Sequence, residues 1–222
     1  MEITQNIYLS RYNWASDSIT KYLDKVKLTI IYDVGARDSI LKSYLPNSNI
    51  DYRGFDLVPM HDEIREWNLE NEFPFPNEEK ADMVSLLEIV EHLNNPWLSI
   101  KNLSDVLKPG GYLFLTTPNP HFSRSRISFF FNGFLSCFTQ SDLDFNHHVF
   151  TPWPHIIERL LKDNGFEIIE YSTLDGKTKL FEKPIKSYFL FQLLLRAILI
   201  FIEKIDKKSC GMSYAILAKK IN

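Results

Sequence analysis

Apolar residues follow two rhythms along this chain, and the order in which the rhythms alternate predicts its architecture. Residues 28–34 form a nearly continuous apolar run rich in β-branched side chains, the pattern of a strand buried on both faces. The run stops at Gly35, and Asp38 or Ser39 then stands where a helix N-cap belongs, ahead of Ile40 and Leu41. Further strands are predicted over 50–56, 81–87, 112–117, 165–170 and 213–220. Helical spacing fills the gaps. Asn95 caps a helix with Pro96 at its first position, and Leu98, Ile100, Leu103, Val106 and Leu107 line one face until Lys108-Pro109-Gly110-Gly111 ends it. A second helix is predicted with Thr151 as N-cap and Pro152 as first residue, burying Ile156, Ile157, Leu160 and Leu161. Residues 1–27 read as a lead-in anchored by Tyr8, Tyr12, Trp14, Ile19, Tyr22 and Leu23, either packed on the sheet or closing over a ligand. Strands alternating with helices predict a doubly wound α/β sheet.

Two stretches interrupt the alternation. Residues 120–150 hold Phe122, Phe129, Phe130, Phe131, Phe134 and Phe138 with Arg124 and Arg126, and a connection this long inside a compact unit is usually functional. The expectation is a lid over the substrate, with a satellite hydrophobic cluster as the alternative. In 174–210 the run 188–202 is apolar but broken by Gln192 and Arg196, and is shorter than the roughly 20 residues of a membrane span. As a helix it places Gln192, Arg196, Glu203 and Lys207 on one narrow polar stripe. Such a helix is buried, paired in a homodimer, or laid on a membrane. Lys183, Lys186, Lys204, Lys207 and Lys208 would suit an anionic surface.

Composition narrows the picture. The 222 residues suit a single α/β domain, 1–222, that includes the lid and the helical insertion 174–210. A net charge of −3 gives no support for broad nucleic-acid binding. Cys137 and Cys210 are too few for a disulfide framework, which predicts a reducing, cytoplasmic setting. The first residues carry no secretory signal pattern.

The candidate chemistry lies at strand ends. Asp56 follows Gly35 by 21 positions, placed to accept hydrogen bonds from ribose hydroxyls. Glu88, Glu91 and His92 fall at i, i+3 and i+4, so one helical turn would gather two carboxylates and an imidazole able to bind a divalent cation.

The order of these stretches, from Ile31-Tyr32-Asp33-Val34-Gly35-Ala36-Arg37-Asp38-Ser39 through Leu86-Leu87-Glu88-Ile89-Val90-Glu91-His92-Leu93 to Leu107-Lys108-Pro109-Gly110-Gly111 and Thr116-Thr117-Pro118-Asn119, resembles class I S-adenosylmethionine-dependent methyltransferases. The likeness covers roughly residues 28–172 and a last strand near 212–219. It is greatest to the subgroup of ubiquinone-biosynthesis O-methyltransferases and cell-surface glycan methyltransferases. That resemblance implies a Rossmann-like seven-stranded sheet, mostly parallel with the last strand antiparallel. It implies cofactor contacts from Asp33, Gly35, Ala36, Asp56, Leu57, Asn68, Leu69 and Leu86, with Asn68 standing where the family usually has Asp.

The family's loop glycines are replaced at Arg37 and Ser39. Arg37 either holds the cofactor's carboxylate or is a solvated loop residue. The Glu-x-x-Glu-His element with His148 resembles the metal site of small-RNA 2′-O-methyltransferases, which makes Glu88, Glu91, His92 and His148 candidate ligands for Mg²⁺. In the metal-free alternative His148 acts as base, with Glu91 and His92 supporting it. The expected function is O-methylation of a glycan or glycolipid precursor in polysaccharide biosynthesis, at the inner face of a membrane. The alternatives are a soluble or quinone-like small-molecule acceptor, or a non-catalytic cofactor-binding protein.

Overall fold

A computed structural model describes residues 10–24, 26–46, 49–176, 178 and 189–221. Tyr8, Lys183, Lys186 and the first residue of the 188–202 run lie outside that set. Seven strands form one sheet: β1 (Thr29–Val34), β2 (Ile50–Asp56), β3 (Ile64–Glu66), β4 (Ala81–Leu87), β5 (Leu107–Pro118), β6 (Phe166–Leu174) and β7 (Ser213–Lys220). Their order is β3-β2-β1-β4-β5-β7-β6. The first five are parallel, and β7 runs antiparallel to both β5 and β6, as the resemblance implies.

Burial on both faces explains the unbroken apolar strands. Ile30, Tyr32 and Val34 of β1 point into one core, while Ile31 points into the other. Helix α1 (Arg11–Tyr22) and α2 (Ile40–Tyr44) cover the second core, where Trp14 and Ile19 meet Met83 and Phe114. Helices α3 (Pro96–Val106) and α6 (Pro154–Asp163) cover the first, through Ile100, Leu103, Ile157 and Leu160.

Local signals succeed where nothing competes with them. Asn95 accepts from Leu98 N–H at 3.1 Å and Pro96 opens α3, as predicted. The α6 expectation is corrected by two residues: Trp153, not Thr151, is the cap, and Pro154, not Pro152, begins the helix. The Thr151-Pro152-Trp153-Pro154 sequence holds two prolines, and the ring of Pro154 keeps Trp153 extended (φ −62°, ψ 132°), so no helix can start before it. The start of β5 is also corrected. Leu107 already pairs with Ala81, and Lys108–Gly111 form a bulge before Tyr112 pairs with Met83. Gly111 is required there, because a Cβ would lie 2.8 Å from the Asp82 carbonyl.

The 120–150 connection is itself helical. Helix α4 (Ser123–Asn132) carries the phenylalanines, and α5 (Gln140–Asn146) is opened by a Thr139/Asp142 capping box. Helix α7 (Phe189–Ile205) occupies the β6–β7 connection. No helix among the described residues is long and apolar enough to cross a membrane.

Candidate active site

The strand order reverses direction at β1, and the carboxyl ends of β1 and β4 open into a cavity of about 1000 Å³. That lies at the upper end of small-molecule sites, roughly 300–1,000 Å³, with room for two ligands end to end.

One end is backbone. Gly35 N–H and Ala36 N–H both donate to the Phe55 carbonyl, at 2.8 and 3.0 Å, which ties the loop to β2. Gly35 has φ +81°, and a Cβ on it would sit 2.2 Å from Ile89 Cδ1, so conformation and packing both demand glycine. Arg37 (φ 42°) and Ser39 (φ 56°) keep left-handed conformations although neither is glycine. Each costs roughly 1 kcal/mol, so the surrounding structure enforces the glycine-loop shape without the glycines. Asp56 accepts from Arg37 N–H at 2.9 Å and Val58 N–H at 3.0 Å, which fixes a carboxylate at the cavity edge.

Asp33 lines the cavity, but Tyr52 O–H and Ser85 O–H already engage its two oxygens, each at 2.6 Å. Burial pushes its pKa up. Leu57, Asn68 and Leu69 line the same end, and Asn68 Oδ1 also accepts from Glu70 N–H at 3.0 Å. Arg37 lies at the rim with its Nε 3.5 Å from Met60 Sδ. Leu86 is the exception among the expected cofactor residues: its side chain is in the core, and neighbouring Leu87 borders the cavity instead. Successive side chains of a strand take opposite faces.

The other end is ionisable. The expected helical turn over Glu88–His92 does not form. Glu88 exits β4 left-handed (φ 58°), and a short 3-10 turn over Val90–His92 follows. That kink sets Glu88 apart from the other candidates, with Oε2 3.5 Å from Ser213 Oγ. Glu91, His92 and His148 come together, offering one ligand atom each with all three within 4.8 Å. Two contacts bring His148 there. Phe150 N–H donates to the Glu91 carbonyl at 3.0 Å, and the His92 and His148 rings meet edge-on at 4.9 Å.

His148 Nδ1 lies 2.5 Å from the Cys137 carbonyl. A carbonyl only accepts, so Nδ1 carries a proton, and in the neutral ring the lone pair is on Nε2. Glu91 is 1% exposed and accepts from Thr117 O–H at 2.8 Å. Burial and then the charge of Glu88 raise its pKa well above the usual carboxylate range, and burial raises that of Glu88. Burial, reinforced by His148, lowers the pKa of His92.

Sequence patterns missed Arg11 as a cavity residue and gave Tyr12 only as an anchor. Both border the cavity from the first turn of α1, whose later turns pack on the sheet. Among the described residues, Arg11 Nε and Glu88 Oε1 are buried polar atoms without a hydrogen-bond partner. Cys137, Phe145 and Asn146 line the ionisable end, whereas Phe129, Phe130, Phe131 and Phe134 are exposed outside it.

The sequence profile of a family described as a methyltransferase domain matches residues 11–171. A mitochondrial ubiquinone biosynthesis O-methyltransferase of Dictyostelium discoideum is 40% identical over 76 residues, 34% of this chain and 22% of that protein. A ubiquinone biosynthesis O-methyltransferase of Coxiella burnetii is 26% identical over 117 residues, 46% of this chain and 50% of that one. The chain thus spans half or less of these two curated relatives. A SAM-dependent methyltransferase of Archaeoglobus fulgidus superposes with a TM-score of 0.62 at 19% identity over 95% of both chains, a likeness of fold.

Proposed function

We propose, from the premise that this chain belongs to the methyltransferase-domain family, that it transfers the methyl group of S-adenosylmethionine to a hydroxyl oxygen. The observation that carries this reading is the cavity with two unlike ends, a preorganised backbone loop at one and a carboxylate–histidine cluster at the other. The Gly35–Ala36 backbone receives the methionyl portion, Asp56 the ribose hydroxyls and Asn68-Leu69 the adenine. Arg11, with Nε unpaired in the cavity wall, suits the cofactor's carboxylate better than rim-bound Arg37 does. S-adenosylmethionine, when bound, supplies an electrophilic methyl on a sulfonium. The chain's task is to hold the acceptor oxygen in line and receive its proton. With the methyl supplied in this way, His148 Nε2 would receive the proton that the acceptor hydroxyl gives up.

A metal reading is favoured by the donor set. One carboxylate and two imidazoles within 4.8 Å, with His148 anchored through Nδ1–H to a carbonyl, is how metal-binding histidines are held. Glu91, His92 and His148 would hold the ion, which when bound lowers the pKa of an acceptor hydroxyl. Two imidazoles suit Mn²⁺, Co²⁺ or Zn²⁺ better than the Mg²⁺ expected from sequence.

The acceptor end carries Asn146, His147 and His148 in its wall beside Cys137 and Phe145. This supports an acceptor with neighbouring hydroxyls, such as the sugar of a glycan or glycolipid precursor. The likeness to ubiquinone biosynthesis enzymes supports a quinone-type phenol as the second reading. Calorimetric titration with S-adenosylmethionine, followed by labelled methyl transfer to both acceptor classes with and without chelator, tests the proposal. Absent cofactor binding overturns it in favour of a non-catalytic protein. Activity in excess chelator removes the ion and leaves His148 as the base.

A further inference from the structure

Helix α7 is amphipathic in the wrong sense for a finished protein surface. Its polar stripe lies on the α4 side: exposed Gln192 and half-buried Arg196, with Leu199, line a crevice of about 470 Å³ against Arg124, Ile127 and Ser128 of α4. Glu203 is buried and accepts from Ser123 O–H at 2.9 Å and Thr178 O–H at 2.6 Å, while Asp206 pairs with Arg126. These contacts fix the helix's rotation. The opposite face shows Leu194, Ile198, Phe201 (63% exposed) and Ile205 (71% exposed), spaced i, i+4, i+7 and i+11. Helix α4 exposes Phe129, Phe130 (80% exposed) and Phe131 (75% exposed) as well. Eight large apolar side chains on two packed helices, counting Phe134 just beyond α4, exceed what a surface exposed to water normally carries.

Charge decides what covers this face. Residues 123–132 and 189–209 hold six basic side chains (Arg124, Arg126, Arg196, Lys204, Lys207 and Lys208) and two acidic ones. Both acidic groups, Glu203 and Asp206, are turned inward or ion-paired. The chain as a whole is at −3, so this region is a basic island. A second copy would set basic island against basic island. An anionic bilayer complements it.

We propose that α4 and α7 form a membrane-docking platform. Its phenylalanine and aliphatic face enters the interface of an anionic phospholipid bilayer, and the α4–α7 crevice, with Arg124, Ser128, Gln192 and Arg196, receives the phosphate of a head group. The platform is joined to the acceptor site by chain, since α4 and α5 belong to the same connection that ends in His148. The inference goes beyond the methyl-transfer reading and does not depend on it.

Vesicle co-sedimentation of the full chain, without cofactor or acceptor, tests it. The chain should sediment with phosphatidylcholine–phosphatidylglycerol vesicles, should sediment weakly with phosphatidylcholine alone, and should release as salt rises. Phe130→Ser with Phe201→Ser, and separately Arg124→Gln with Lys204→Gln, should each weaken binding by about tenfold or more, with melting temperature and cofactor affinity unchanged. A wild-type chain that stays in solution with both vesicles overturns the proposal, as does binding indifferent to lipid charge and salt. A dimer by light scattering that Phe130→Ser with Phe201→Ser disperses also overturns it, in favour of a second copy. Should the variants fail to fold, the wild-type lipid and salt series still decides.

Discussion

The two ends of the central cavity are built on opposite principles. At the Gly35 end the strained backbone is secured by the Phe55 carbonyl and Asp56, and the loop's shape is set before any ligand arrives. At the Glu91 end a buried and a half-buried carboxylate share a wall with two histidines, Glu88 Oε1 has no hydrogen-bond partner among the described residues, and the carboxylate pKa values are raised. The first end is a mould whose cost is conformational. The second holds electrostatic free energy that a proton, an ion or a substrate can release. The difference teaches where ligand affinity and where chemistry reside, and substitutions at one end should leave the other intact.

The largest effect is expected at the ionisable end. Glu91→Gln should lower turnover about a hundred- to ten-thousandfold, while the cofactor dissociation constant by calorimetry stays near wild type. Loss of cofactor binding in this variant would break the comparison. Asp56→Ala tests the opposite end. Losing a carboxylate partner to ribose hydroxyls should cost about 1.5–3 kcal/mol, or roughly tenfold to over a hundredfold in affinity, with the pH profile of turnover unchanged.

Gly35→Ala should lower stability by about 1–3 kcal/mol, because the left-handed conformation and the Ile89 side chain both oppose a Cβ. Adding Ile89→Ala should return the steric part alone, a partial recovery readable in thermal melts. Full recovery would show that the conformation carries no strain.

The smallest effect concerns pH. In the folded chain Glu88 and Glu91 bind protons more tightly than the ordinary glutamate value of about 4.3. Between that value and their raised folded values the native state binds more protons than the unfolded one. Stability without an ion therefore falls as pH rises from the ordinary carboxylate range. Glu91→Gln should flatten that decline and raise the melting temperature at mildly alkaline pH, a shift of about 1 kcal/mol. A divalent cation should do the same to the wild type. A melting temperature that rises with pH in the ion-free wild type would contradict the raised values.

The mould end was largely legible in the sequence. Although the expected cap fails, since Ser39 is left-handed and makes no side-chain cap bond, an apolar run, a glycine and an acidic residue 21 positions on are local features that neighbouring strands turn into one site. Asn95-Pro96 was legible for the same reason, since a cap and its helix lie within four residues. What was not legible depends on partners distant in sequence. Glu88 was expected to share a turn with Glu91 and His92, but its backbone is captured by the Thr116 carbonyl of the adjacent strand and leaves left-handed. Arg11 reaches the cavity only because Trp14 and Ile19 pin α1 across the sheet.

Helix α7 makes the division clearest. Its spacing determined that Gln192, Arg196 and Glu203 share a face and that Leu194, Ile198 and Phe201 share another. Spacing is symmetric with respect to inside and outside, and hydrophobicity alone would have turned the apolar face in. Ser123, Thr178 and Arg126, brought from elsewhere in the chain, hold the polar face down instead. Sequence sets which residues travel together, and tertiary contacts decide what they meet, because a hydrogen bond to a buried carboxylate forms only after both partners have been carried to the same place.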